Sequence, residues 1–207
     1  VVNHISVKYP ETIYHFHKEQ GLNYMQFIPC LEKDPSTGEI ASFCPNAEEL
    51  GLFWEKLFDC WVKDFDITGP QTSIRFFDSV FYHYAGYPPP ECTLLNTCGI
   101  YVVIEHNGNV YSCDFYVEPQ WKLGNIHHGD LIHFLNSKKQ NQFGQKKSSL
   151  PDECMKCRWL HLCRGGCPKD RDNNKLSYFC SAYKHFFQYS HEKYLQLAED
   201  WKKKNHR

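Results

Sequence analysis

Eight of the eleven cysteines in this 207-residue chain lie between positions 92 and 180. They read Cys92-x5-Cys98-x9-Gly108-x4-Cys113, then, after a long gap, Cys154-x2-Cys157-x5-Cys163-x3-Cys167, and finally Cys180. Eight thiols make two complete sets of four, and tetrahedral thiolate sites suit either zinc or iron–sulfur clusters. Two features favour clusters. Zinc sites usually come as two separated Cys-x2-Cys knuckles, and Cys154-x2-Cys157 is the one such pair here. Arg164-Gly165-Gly166, inside the motif, also lets backbone N–H groups come close, as cluster sulfides prefer. Disulfides are the remaining option, but the chain is too long, too aromatic and too core-rich for a small disulfide scaffold.

Composition narrows the partners. A formal net charge of −1 argues against a general nucleic-acid or anionic-membrane binder. With 42% hydrophobic and 16% aromatic residues, disorder is excluded and a real core is expected. Lys202-Lys203-Lys204 reads as a solvated helix end. No run of 18 apolar residues occurs, so no membrane span is expected. No charged-then-apolar leader precedes Val1, so a reducing, cytoplasmic setting is expected, where thiolates are more often metal ligands than disulfides. Val1-Val2-Asn3-His4 reads like a strand already under way, which points to a piece of something longer.

The elements that must position the cysteines follow from periodicity. Residues 11–21 read as a helix ending at Gly21, and residues 23–28 as a strand stopped by Pro29; this order predicts a βα unit with a parallel sheet. Asn46 and Glu49 make a capping pair. Leu50, Phe53, Trp54, Leu57, Phe58, Trp61, Val62 and Phe65 then recur at helical spacing and are read as core. A strand over 73–77 and a helix up to Ala85 follow. Gly86-Tyr87-Pro88-Pro89-Pro90 is stiff and marks the expected domain boundary, dividing residues 1–87 from residues 88–207. Residues 101–115 read as a β-hairpin turning at Asn107-Gly108. A short helix is expected over 131–135, an exposed polar loop over 136–153 and a final helix over 182–201.

The string from Cys98 to Cys180 resembles the seven-cysteine signature of SPASM domains, the auxiliary-cluster domains of radical S-adenosylmethionine (SAM) peptide-modifying enzymes; Cys92 adds an eighth ligand. Gln26-Phe27-Ile28-Pro29-Cys30, Phe77-Asp78-Ser79-Val80, Gly86-Tyr87-Pro88-Pro89-Pro90-Glu91-Cys92, Val110-Tyr111-Ser112-Cys113-Asp114-Phe115 and Lys122-Leu123-Gly124-Asn125-Ile126 are similar to one branch, the anaerobic sulfatase-maturating enzymes. The likeness covers nearly the whole chain. It implies an α/β fold: the C-terminal part of a partial (β/α) radical SAM barrel, then a small α+β SPASM domain with a hairpin and a C-terminal helix. It also implies interlaced ligands, with Cys92, Cys98, Cys113 and Cys167 on one [4Fe–4S] cluster and Cys154, Cys157, Cys163 and Cys180 on a second.

The family's reaction, as the resemblance implies it, oxidises a Cys or Ser of a sulfatase to formylglycine within a Cys/Ser-x-Pro/Ala-x-Arg motif. It needs a base and an electron acceptor close together. Asp114 is the candidate base: on a strand it would face away from Cys113, toward a partly desolvated cleft. The plainer alternative is an Asp making a local hydrogen bond. Gln26, at the loop-ward end of a barrel strand, is a candidate cofactor-facing residue. Cys60 is expected to pack as a small apolar residue, and His15-x-His17 and His127-His128 lack a placed third ligand. The family's SAM-cluster motif, Cys-x3-Cys-x2-Cys, is absent here, so SAM and a third [4Fe–4S] cluster belong to a longer parent. A flavodoxin or ferredoxin donor and a monomeric state are expected. The alternatives are another SPASM maturase, such as a thioether-forming one, and a non-catalytic two-zinc module.

Overall fold

Asn46 accepts from the Glu49 amide at 2.8 Å while the Glu49 carboxylate accepts from the Asn46 amide at 3.2 Å, so both ends of the expected capping box close. The computed structural model in which this is seen describes residues 1–66 and 68–205. It divides into two compact units, one of residues Val1–Glu91 with the chain from Tyr178 onward, the other of Cys92–Ser177.

The first unit begins with α1 (Pro10–Glu19) and β1 (Tyr24–Met25), followed by α2 (Ala47–Lys63). A small hairpin of β2 (Phe65–Asp66) and β3 (Gly69–Pro70) leads into β4 (Ser73–Ile74) and α3 (Arg75–Ala85). β1 pairs with β4 in parallel, Tyr24 opposite Ser73, with α2 in the connection between them. Val2 bridges Pro29, also in parallel. The expected parallel α/β arrangement is therefore present, with strands much shorter than alternation implied. The strand expected over 73–77 stops at Ile74, because Phe77, Val80 and Phe81 recur at helical spacing and are buried by α3.

In the second unit, a 3-10 turn over Cys92–Leu94 precedes a sheet of β5 (Val103–Ile104), β6 (Asn109–Tyr111) and β7 (Lys122–Asn125). The Asn107-Gly108 hairpin is there, Gly108 supplying a φ of 77°. The third strand, β7, was not anticipated. Then come α4 (Leu131–Leu135), α5 (Lys138–Gln145), α6 (Asp152–Met155) and α7 (Leu160–Cys163). The exposed loop expected over 136–153 is instead largely helical and partly buried: Gln140, Phe143, Gly144 and Lys147 all turn inward. Gln140 explains the docking, donating from Nε2 to the Tyr101 carbonyl at 2.8 Å and the Ser112 carbonyl at 3.3 Å.

The last helix, α8 (Cys180–Asn205), packs on α2 and α3. It belongs with the first unit, whereas the sequence grouped it with residues 88–177; the physical reason is its apolar face. Phe186, Tyr194 and Ala198 are buried among Trp54, Phe58, Trp61 and Phe77. The unit boundary likewise falls after Glu91 rather than after Tyr87. Trp61, Phe77 and Phe186 are 0% exposed, and full burial of such a side chain contributes roughly 1.5–3 kcal/mol. Cys60, also buried, packs in this core as expected. Among the described residues no helix is long and apolar enough to cross a membrane.

Candidate iron–sulfur site

Four of the eight cysteines come together in the second unit. The Tyr101 hydroxyl lies 3.8 Å from the sulfurs of both Cys92 and Cys113. Cys98 is within Coulombic reach of Cys92, and Cys167 of both Cys98 and Cys113. Burial pushes the Cys113 thiol up to about 11 and the Cys167 thiol up to about 12. Burial thus disfavours the bare thiolates of Cys98, Cys113 and Cys167, all half-buried, and a cationic metal core would remove that cost. Among the described residues no three His, Cys, Asp or Glu side chains crowd closely enough to share a single ion. A four-iron cluster is bound at its corners, so its ligand sulfurs stand farther apart than those around one metal ion.

The backbone around these thiols has a recurring feature. The Gly165 amide donates to the Cys163 sulfur at 3.4 Å, and the backbone at Phe115 and at Lys169 acts against burial to favour the charged forms of Cys113 and Cys167. Such N–H···S bonds favour the thiolate over the thiol, and bonds of this kind tune cluster potentials. At Cys163 the turn requires Arg164, Gly165 and Gly166 to adopt φ of 49°, 75° and 63° in succession. Left-handed backbone of this kind is open to glycine without penalty. The donor set and its amides fit an iron–sulfur cluster.

Cys154 and Cys157 are linked through the turn that ends α6, where the Cys157 amide donates to the Cys154 carbonyl at 3.1 Å. Cys163 ends α7, which packs against the Cys92–Leu94 turn. Cys180 is the first residue of α8 and belongs to the other unit.

Asp114 departs from expectation. The strand ends at Tyr111, and Asp114 begins a 3-10 turn, so the two-face alternation no longer holds there. Instead of facing away from Cys113, its Oδ1 accepts from the Cys113 thiol at 3.2 Å and from the Tyr101 hydroxyl at 3.4 Å. The side chain is exposed in this chain rather than held in a desolvated cleft.

Gln26 lies in the first unit just past β1 and lines a cavity of about 460 Å³ with Tyr24, Ser73, Arg75 and Asp78. Burial pushes the Asp78 carboxyl up, against hydrogen bonds that include one from Ser73. Three residues next to the sulfur site escaped the sequence reading: Tyr101, Lys147 and Arg171. Gln140, Phe143, Gly144 and Lys147 recur at i, i+3, i+4 and i+7, a helical spacing that hydropathy hides because one of the four is a large apolar residue.

Residues 92–158 match the family model for SPASM, an iron–sulfur cluster-binding domain. The cysteine-type anaerobic sulfatase-maturating enzyme of Clostridium perfringens (strain 13 / Type A) is 32% identical over 207 residues, covering 98% of this chain and 56% of its own length. The serine-type anaerobic sulfatase-maturating enzyme of Bacteroides thetaiotaomicron is 36% identical over 210 residues, covering 91% of this chain and 50% of its own. The solved structure of native anSMEcpe with bound AdoMet and Cp18Cys peptide has a TM-score of 0.84 at 30% identity, over 96% of this chain and 56% of that one. The chain is thus similar over nearly its whole length to anaerobic sulfatase-maturating enzymes, and it carries a match to the SPASM domain. It spans about half the length of the curated relatives it matches.

Proposed function

We propose that this chain is the C-terminal portion of a radical SAM sulfatase maturase, in which it holds two auxiliary [4Fe–4S] clusters and supplies the base for oxidation of a Cys or Ser to formylglycine. The observation that carries the reading is the grouping of the Cys92 and Cys113 sulfurs about the Tyr101 hydroxyl, with Cys98 and Cys167 within Coulombic reach of them. These four hold the first cluster; Cys154, Cys157, Cys163 and Cys180 hold the second.

In the reaction the substrate side chain loses a hydrogen atom from Cβ to the radical that the SAM-binding half supplies, a proton from its thiol or hydroxyl, and one further electron. Ser then gives the aldehyde directly, while the thioaldehyde from Cys exchanges its sulfur for oxygen with water and releases hydrogen sulfide. Asp114 takes the proton: its exposed carboxylate is open to an incoming peptide, and the Tyr101 hydroxyl steadies one oxygen. The auxiliary clusters, when bound, supply the acceptor for the departing electron. Asp114 and Cys113 share a direct contact, so the proton and the electron leave within one small region. Gln26, which lines the cavity beside β1, is the residue we assign to face the cofactor; the SAM-binding half of the parent also carries the third [4Fe–4S] cluster. The substrate is a sulfatase polypeptide with Cys/Ser-x-Pro/Ala-x-Arg, the reductant is a flavodoxin or ferredoxin, and the protein works as a cytoplasmic monomer without nucleic-acid or membrane partners.

The test is the full-length protein, reconstituted anaerobically and given a peptide carrying Cys-x-Pro-x-Arg. Formylglycine should form with wild type and fall by at least about a hundredfold with Asp114→Asn, the scale of a lost general base. Near-wild-type yield from the variant sinks the base assignment, and no product from wild type sinks the reaction.

A further inference from the structure

Two cations, Lys147 fully buried and Arg171 half-buried, stand beside the first set of sulfurs without a role in the chemistry above. Lys147 is 0% exposed. Its ammonium donates to the carbonyls of Cys92 at 3.0 Å, Thr93 at 2.7 Å and Leu95, all from the turn that carries Cys92. An ammonium has three protons, and all three are used on this one turn. Among the described residues no carboxylate forms an ion pair with it. A buried charge without a counter-charge is strongly disfavoured. Burial pushes the Lys147 ammonium down to about 8, and the Cys98, Cys92 and Cys167 sulfurs, once ionised as cluster ligands, would act against that.

Arg171 extends the arrangement. Its Nε donates to the Gly165 carbonyl at 3.1 Å, Nη2 to the Lys147 carbonyl at 3.0 Å and Nη1 to the Ser149 carbonyl at 3.3 Å. It thereby ties the left-handed turn after Cys163 to the segment that holds Lys147. The Cys154, Cys98 and Cys167 sulfurs favour its charge too. Two charges oppose the arrangement: Arg171 disfavours the Lys147 ammonium by like-charge repulsion, and Asp170, a half-buried carboxyl, lies within Coulombic reach of Cys167.

We infer that Lys147 and Arg171 are positioning residues for the first auxiliary cluster, fixing the Cys92 and Gly165 turns and offsetting the thiolate charge so that the bound cluster accepts an electron more readily. This rests on the reading that Cys92, Cys98, Cys113 and Cys167 hold a cluster. A positive charge held near a redox centre favours its reduced, more negative form, and hydrogen bonds and net charge are among the levers that set cluster potentials.

The full-length protein, reconstituted anaerobically with ferrous iron and sulfide, provides the test. The readouts are iron per chain and potentiometric titration followed by electron paramagnetic resonance, the relevant signal being assigned by its loss in Cys98→Ser. Lys147→Met should make reduction of that cluster about tenfold less favourable, roughly 59 mV downward for one electron. Lys147→Arg, which keeps the charge, should return the potential most of the way. Arg171→Gln alters a less buried side chain and should shift the potential in the same direction by a smaller factor, so it decides the matter if Lys147→Met does not fold. Wild-type iron and an unshifted potential in whichever of these two charge-removing variants fold would overturn the inference. Wild-type protein that takes up no iron dependent on Cys98 would overturn the cluster reading itself, and this inference with it.

Discussion

The Tyr101 hydroxyl donates to the Asp114 carboxylate at 3.4 Å from a position 3.8 Å from the Cys92 and Cys113 sulfurs, so one oxygen touches both the candidate base and two candidate ligands. Its backbone is fixed from the other side by Gln140. Tyr101→Phe removes the hydroxyl and little else. The variant should retain both auxiliary clusters while turnover of a sulfatase peptide falls by roughly tenfold, the scale of one lost hydrogen bond to a charged group. Undiminished turnover would show that the hydroxyl does not orient Asp114.

The two ligand sets should be separable by mutation. Cys98→Ser is expected to lose about four iron atoms per chain and leave the second cluster intact; Cys157→Ser should do the converse. Iron analysis and low-temperature spectra of each variant check this. If either substitution empties both sites, or removes no iron, the division into two sets of four is wrong. Colourless wild-type protein containing zinc would support the two-zinc module instead.

Gly144 is a steric prediction. A Cβ built there would stand 2.4 Å from the Cys98 carbonyl oxygen, a backbone atom that cannot rotate away. The Cys98 amide also donates to the Gly144 carbonyl at 3.1 Å. Gly144→Ala must push the loop that carries Cys98 off α5, costing about 1–3 kcal/mol. The first cluster should be retained poorly while the second persists. Full iron content and an unchanged thermal midpoint in this variant would refute the close packing.

Asp64 gives a pH dependence in the other unit. Its carboxylate accepts from Lys18, Tyr14 and, at 3.1 Å, Thr72. Burial acts to raise its pKa, but the Lys18 ammonium and the two hydroxyls outweigh burial and hold it below the usual carboxylate range. A carboxyl whose folded pKa is depressed contributes stability above its unfolded value of about 3.9, and that stability is lost as pH falls through the folded value. Asp64→Asn should therefore destabilise the protein by about 1–3 kcal/mol near neutrality, with the deficit shrinking below about pH 4. Urea unfolding across pH measures it; a deficit constant down to pH 2 would mean the charge is not its source.

The sequence by itself determined the elements whose cause is local. The Asn46–Glu49 box, the aromatic stripe of α2 and the Asn107-Gly108 turn each depend on neighbours within a few positions, so a linear reading finds them. The cysteine spacing likewise marked eight thiols for metal chemistry and carried the family resemblance, because turn-forming intervals leave a one-dimensional trace.

Tertiary structure alone decided the rest. That Cys167 stands near Cys98 and Cys113 follows from chain folding across more than fifty intervening residues; no interval encodes it, and at the level of sequence only the family likeness implies it. Asp114 shares a side with Cys113 because the strand ends early and a 3-10 turn takes over, a contest between hydrogen-bonding patterns settled by the surrounding contacts. Lys147 is the sharpest case: in a polar stretch its default is solvent, yet three carbonyls and a group of sulfurs draw it fully inside. Burial of a charge depends on partners distant in sequence, and those partners exist only once the chain has folded.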